Sequence, residues 1–391
     1  MRRRDPAPAY LGSFVVIGLS TSVVGPALSS LQRHAGVSLR AVSSIFVAQS
    51  IGYVLGTLSS GRLIDRSLGH RLYATALLVG AAAFLALPSA SSLVGLWAVF
   101  AVVGMAGGAV DAAGNTFVMW SRSGNVGSLM SALHLSFGVG ALLCPILIDR
   151  SQVWRGDISV ACWVIATLAT TTAVFVLTRT APVHPQHGAD EPVAPAATGD
   201  LAAVAFFFVL YVGLETGFGG WVHTYAERIH LGGAGAAAAL TTTFWASFTL
   251  GRLASVGVAR RVRPGHLLFA STALAVCAAG VLMTGSSPVI TYVGTVLMGL
   301  GTAPQFPCMM AFAEEHLNIT GTATGWFIGA SGIGGLALPW LTGQFFASVG
   351  PTAVPKLALV MSIATLGWLV VLNRRLRDAH PSAAPMATSV A

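Results

Sequence analysis

The sequence predicts an all-α membrane protein: twelve transmembrane helices in two six-helix bundles, with both chain ends in the cytoplasm. Three observations predict it. Hydrophobic residues make up 54% of the 391 residues and charged ones only 9%, too few charges to cover a soluble protein of this size. Apolar runs long enough to span a bilayer, about 20 residues each, recur along the whole chain. One Pro- and Ala-rich stretch, Arg179–Asp200, has no apolar run and splits the others six and six, as a flexible hinge does.

The runs of the first half are Tyr10–Ser30, Val42–Leu63, Arg71–Pro88, Leu93–Trp120, Gly127–Ile148 and Ser159–Thr178. Those of the second half are Leu201–Tyr225, Ala234–Val258, Gly265–Met283, Val289–Ala313, Gly321–Phe346 and Ala353–Leu372. The expected domains are therefore a bundle over 1–178, a cytoplasmic linker over 179–200, a second bundle over 201–373 and a cytoplasmic tail over 374–391. Six plus six around a central loop is the layout of a two-bundle transporter.

Counting basic residues orients the chain. With the N-terminus inside, the inner segments hold Arg2, Arg3, Arg4, Arg62, Arg66, Arg71, Arg122, Arg179, Arg252, Arg260, Arg261, Arg263, Arg374, Arg375 and Arg377. The outer segments hold Arg33, Arg40, Arg150, Arg155, Arg228 and Lys356. An excess of positive charge marks the cytoplasmic side, and an even number of helices keeps both Arg-rich ends there. The formal net charge of +8 therefore reads as an orientation signal and not as a nucleic-acid surface.

Other chemistry finds no support. Cys144, Cys162, Cys277 and Cys308 all lie in apolar segments and read as small core residues, without disulfide or metal-ligand spacing. There is no Walker loop, no His/Cys metal cluster and no nucleophile–histidine–acid set, so the chain is not expected to be an enzyme or to hold a cofactor. The first apolar run is too long for a signal peptide and lacks an A-x-A site. One lysine against twenty arginines, with abundant Ala and Gly, suggests a GC-rich bacterial genome, hence a multi-pass protein of a bacterial inner membrane.

The most informative stretch is Leu93–Trp120, LVGLWAVFAVVGMAGGAVDAAGNTFVMW. It carries a carboxylate, Asp111, at a depth where insertion costs about 2.5–3.5 kcal/mol. Asn115 follows four residues later, on the same helical face. Gly104, Gly107 and Gly108 precede the acid by about one turn and allow a neighbouring helix close. Ionised, Asp111 can hold sodium with the Asn115 amide oxygen; protonated, it can carry H+.

The segment Gly61–Arg71, GRLIDRSLGHR, joins the second and third runs. It resembles the loop motif G-x-L-x-D-R-x-G-x-R/K of the major facilitator superfamily, with one extra residue between Arg66 and Gly69. The resemblance implies a gate of Gly61, Asp65, Arg66 and Arg71, in which Asp65 caps a helix and pairs with arginines across the bundle. Gly251-Arg252, followed by Arg260, Arg261 and Arg263, is a fainter echo and suggests an internal repeat. Asp111-Ala-Ala-Gly-Asn115, Leu133–Ala141 with Pro145, Gly213–Trp221, Phe244–Leu253, Gly299–Pro307 and Gly321–Pro339 together resemble the fucose permease family. The branch they resemble most is that of the sodium-dependent glucose transporters. This implies the facilitator fold, alternating access, a monomer, and a hexose-like substrate moved with a cation. Fucose permease has a second acid in its first helix. Tyr10–Ser30 here has none, only Ser20, Thr21 and Ser22, so a two-acid coupling scheme does not carry over.

Glu215 is the second intramembrane acid, and Gly213, Gly217, Gly219 and Gly220 around it weaken the helix where transporter sites are built. Its carboxylate can accept two sugar hydroxyls. His134 can donate to a hydroxyl or titrate near neutral pH. Gln305, between Pro304 and Pro307, offers a donor and an acceptor where the prolines free backbone groups. Trp326, Trp245 and Trp221 can stack on a sugar ring, and Trp221 can equally anchor at the interface. Thr241, Thr242 and Thr243 form a hydroxyl cluster.

The expected function is transport of a hexose-like sugar across the membrane by symport with H+ or Na+. The cation sits at Asp111 and Asn115, and the sugar among Asn115, His134, Glu215, Gln305 and the tryptophans. The alternatives are a proton-driven exporter of drugs or amphipathic metabolites and a non-transporting receptor with a plugged cavity; fold alone does not separate them. The expected partners are the sugar, the coupling cation and the lipid bilayer, and no nucleic acid.

Overall fold

A computed structural model describes residues 5–64, 69–121, 126–180, 198–233, 235–258, 261–285, 287–317 and 321–379. Among them the elements are helical: α1 (Ala7–Ser22), α2 (Val24–Ala35), α3 (Leu39–Val42), α4 (Ile45–Ile64), α5 (Gly69–Ala86), α6 (Leu93–Ser121), α7 (Val126–Arg155), α8 (Ser159–Leu177), α9 (Thr198–Arg228), α10 (Ala236–Val258), α11 (Pro264–Met283), α12 (Pro288–Thr302), α13 (Gln305–His316), α14 (Gly321–Val349) and α15 (Ala353–Ala379). Among the described residues nine helices are long and apolar enough to cross a membrane. The count is ten if α1 and α2, bent by 47°, form one span.

Two expected helices are broken, each beside a proline. Tyr10–Ser30 divides at Val23 into α1 and α2. Pro26 has no N–H to give to the Ser22 carbonyl, and its ring crowds that carbonyl, so the hydrogen-bond ladder fails there. Val289–Ala313 divides at Ala303-Pro304 into α12 and α13, for the same reason. The apolar tally also stops short at helix ends. α7 continues past Ile148 to Arg155. α9 begins at Thr198, where Asp200 is buried and accepts from Arg375 at 2.6 Å. α15 thus carries Arg374, Arg375 and Arg377, assigned above to a tail, as its last turns.

The two halves pack alike. In the first, α4 lies on α6, α1 on α7 and α5 on α8; in the second, α10 lies on α12, α9 on α14 and α11 on α15. The seam between halves is made by α7 with α10, α4 with α14 and α2 with α9. Glycine sets the tightest of these approaches. A Cβ on Gly52 or Gly56 would lie 2.0 Å from a carbonyl oxygen of α6, and one on Gly104 or Gly108 would lie 1.9 or 2.1 Å from one of α4. The two backbones therefore touch, as small residues allow in membranes. Gly107 meets nothing within 4 Å; of the three glycines before Asp111, only two serve the contact.

Candidate functional site

The α4–α6 contact builds the surroundings of Asp111. The half-buried carboxylate accepts from the Tyr53 hydroxyl of α4 at Oδ2. Asn115 donates its amide nitrogen at 2.9 Å to Oδ1 and at 2.9 Å to the Asp111 carbonyl. The i, i+4 pairing is the one the spacing predicts, with the amide nitrogen toward the acid and not the oxygen. Behind it, Gly114 leaves room for Phe14 and the Tyr73 hydroxyl, which a Cβ there would meet at 2.6 and 2.9 Å. His134 of α7 stands edge-on to Phe14, with centroids 6.2 Å apart, so α1, α6 and α7 converge on this spot.

A second cluster forms across α9 and α10. Glu215, 8% exposed, accepts from the Tyr211 hydroxyl one turn earlier. Arg252 lies close enough to act electrostatically on that hydroxyl, on Glu215 and, across the seam, on His134. Its guanidinium carbon sits 4.4 Å over the Phe248 ring, and its Nε is buried without a hydrogen-bond partner. Arg252 therefore belongs to the interior of the bundle, not to the inner loops where the charge count put it.

The other predicted residues are placed as follows. Gln305 opens α13 directly after the break; it is fully buried, donates to the Gly301 carbonyl at 2.9 Å and has its Oε1 unpartnered. Trp326 is 68% exposed. Trp245 is buried edge-on to Phe244 and Phe248. Trp221 is fully buried, donates to the Pro339 carbonyl at 2.8 Å and stacks on Phe346 with centroids 5.1 Å apart. It also lies beside Phe46 of the other half. That is a packing position at the seam, neither an interfacial anchor nor a free stacking face. Thr241 and Thr243 give their hydroxyls to their own helix, and Thr242 reaches across to the Leu142 carbonyl at 3.5 Å. Of the first-helix hydroxyls, Ser20 bonds the Val16 carbonyl, Ser22 Oγ is buried and unpartnered, and Thr21 is exposed.

Of the gate residues, Asp65 and Arg66 lie outside the described residues. Gly61 falls in the last turn of α4 and Arg71 is exposed at the start of α5. Nearby, Tyr10, His70 and the Arg179 carbonyl form a chain of contacts, 2.6 and 3.2 Å, that ties α1, α5 and the end of α8 together.

Tyr53, Tyr211 and Arg252 were not singled out from the sequence as site residues. Tyr211 had a signal, standing at i−4 from an intramembrane acid. Arg252 had one too, because it falls inside the run Ala234–Val258. Tyr53 had none, since its partner lies 58 residues away in the chain.

Comparison with known proteins agrees with this architecture. The chain matches the sequence model of the Major Facilitator Superfamily over residues 10–339. It is 25% identical over 374 residues to sodium-dependent glucose transporter 1A of Mus musculus, covering 85% of this chain and 87% of that protein. To sodium-dependent glucose transporter 1 of Xenopus laevis it is 26% identical, covering 84% of this chain and 74% of that one. Among solved structures, a variant of the nucleoside transporter NupG superposes with a TM-score of 0.73 at 15% identity, over 96% of this chain and 99% of that one. A variant of the E. coli fucose:proton symporter FucP does so with 0.65 at 17% identity, over 95% and 98%. The resemblance read from the helix motifs thus holds, and the chain belongs to the Major Facilitator Superfamily.

Proposed function

We propose that the protein is a secondary transporter that moves a hexose-like sugar with H+ or Na+ by alternating access. The observation that carries this reading is Asp111, a carboxylate inside the helix bundle with its oxygens oriented by Tyr53 and Asn115. A chain keeps a charge at that depth for a polar passenger. The names of the related sodium-dependent glucose transporters and of the fucose:proton symporter fold neighbour support sugar and cation as that passenger. In this reading the cation sits at Asp111 and Asn115. The sugar lies between the halves, against Asn115 and His134 on one side and Glu215, Arg252 and Trp326 on the other. Gln305 offers its unpartnered oxygen when the halves move. No observation favours the exporter reading.

The same reading completes the topology. α10 and α14 join the ten spans to make twelve, in bundles over 1–178 and 201–373 joined by the 179–200 linker. Both termini are cytoplasmic, and the protein is a monomer of a bacterial inner membrane. The seam contacts Gly25 to Gly220, Ser43 to Gly343 and Ser29 to Glu227 then all lie at the outer ends, and the structure is closed outward.

Uptake of labelled hexose into proteoliposomes tests the proposal. Wild type accumulates sugar under an inward Na+ or H+ gradient. Asp111→Asn, similar in shape but uncharged, loses gradient-driven accumulation while still exchanging sugar across the membrane. Equal gradient dependence in the two proteins overturns coupling at Asp111.

A further inference from the structure

A cavity of about 320 Å³ lies at the end of the seam that the topology proposed above places outside, and the inference rests on that topology. Asp149 and Gln152 of α7 line it from the first half; His223 and Glu227 of α9 and His230 of the following turn line it from the second. His223 is 8% exposed, and its Nδ1 is buried without a hydrogen-bond partner, 3.9 Å from Glu227 Oε2. Glu227 in turn accepts from Ser29 of α2 at 2.5 Å, a bond from one half to the other. His230 has φ 51°, the left-handed region. It closes α9 there, with the Leu231 N–H reaching the Ala226 carbonyl at 3.1 Å. Glycine holds that conformation more cheaply, and non-glycine residues held there cluster at functional sites.

We propose that this cavity is a proton-binding site that latches the outer ends of the two halves, with His223 as the acceptor. When His223 is neutral, two carboxylates on opposite halves, Asp149 and Glu227, face each other across the cavity and repel. When His223 takes a proton at Nδ1 from the outside water, its positive charge lies between them and attracts both. Acid outside therefore holds the outer face shut, and alkali loosens it. The remaining charged groups do not occupy this place. Arg33 and His34 of α2, Arg150 of α7 and Arg228 of α9 are exposed, His230 is exposed at the rim, and the segment 231–238 carries no titratable side chain. Histidine is the side chain whose ordinary titration falls in the range an outer surface meets.

The test reads a distance and not uptake, so it stands apart from the sugar assignment. Spin labels at Ser91→Cys and Lys356→Cys, both exposed and on opposite halves at the outer side, are introduced in a protein freed of its four native cysteines and reconstituted in lipid. The ratio of short to long distances falls about tenfold between about pH 5.5 and pH 8.5, as coupling to one protonation gives. His223→Gln abolishes this dependence and Asp149→Asn blunts it, whereas His34→Gln, exposed on α2 and outside the cavity lining, leaves it in place. Should His223→Gln fail to reconstitute, Glu227→Gln and Asp149→Asn carry the test, and both flatten the curve. A pH response that persists in these variants, or none in the wild type, overturns the latch. A failure of the transport reading shows separately, as distances that do not respond to sugar.

Discussion

Arg252 has a charge inside α10, within the run Ala234–Val258. It is retained there by three neighbours: the Phe248 ring beneath it, the Tyr211 hydroxyl, and the field of Glu215. A guanidinium lays its plane on an aromatic face, which an ammonium cannot copy. Arg252→Met should leave Glu215 with one fewer compensating group and destabilise the fold by about 1–3 kcal/mol. It should also weaken sugar binding at least about tenfold, since a buried acid without its cation holds its hydroxyl partners in a different geometry. Arg252→Lys should recover part of the stability and little of the binding. Thermal unfolding with and without sugar measures both, and a Met variant with wild-type sugar stabilisation would remove Arg252 from the site. The comparison of Arg252 with Asp111 also shows what a sequence discloses. Asp111 and Asn115 are i, i+4 neighbours in one helix, so their contact was legible. The Tyr53 and Arg252 partnerships run between helices, and no spacing encodes them.

At the scale of elements, the α4–α6 pair is held by backbone contact, so its glycines divide into two kinds. Gly104→Leu places side-chain carbon where a Cβ already lies 1.9 Å from the Gln49 carbonyl. The helices must separate, Tyr53 leaves Asp111, and the variant should lose several kcal/mol, more than ordinary overpacking of about 1–3 kcal/mol. Gly107→Ala meets nothing within 4 Å and replaces a poor helix former, so it should be neutral or stabilising by about 0.5–1 kcal/mol. Melting temperatures in detergent separate the two, and equal losses would mean that the interlock does not set the α4–α6 distance. The order of the helices was legible because apolar runs of membrane length have few alternative structures, whereas their ends were not. The breaks at Val23 and Ala303-Pro304 were not read as breaks. A proline can be absorbed by neighbouring helices without breaking one, as Pro145 and Pro339 are inside α7 and α14; which outcome occurs depends on the packing around it.

For the whole molecule, the seam decides which face is open. At the end that the proposed topology places outside, it is closed by contacts with no slack. A Cβ on Gly25 would lie 2.7 Å from the Gly220 carbonyl, and one on Gly343 2.2 Å from the Ser43 hydroxyl. Phe46 and Trp221 fill the space between them. Such a closure is bistable, because packed surfaces either meet fully or part. A ligand shifts the balance only through different affinity for the two states. A steric wedge does so without any ligand. Gly25→Leu puts a branched side chain into the Gly220 backbone and is relieved only when α2 leaves α9. The variant should therefore populate the outward-open state at every pH. The distance between labels at Ser91→Cys and Lys356→Cys should stay long even in acid, where the wild type is short. Sugar should still bind, from the outer side, but accumulate at least about tenfold more slowly, because the return to the closed state is now the slow step. A Gly25→Leu protein whose outer distance matches the wild type would show that α2 and α9 merely touch, and that the halves are held together deeper in the membrane by α7 with α10 and α4 with α14.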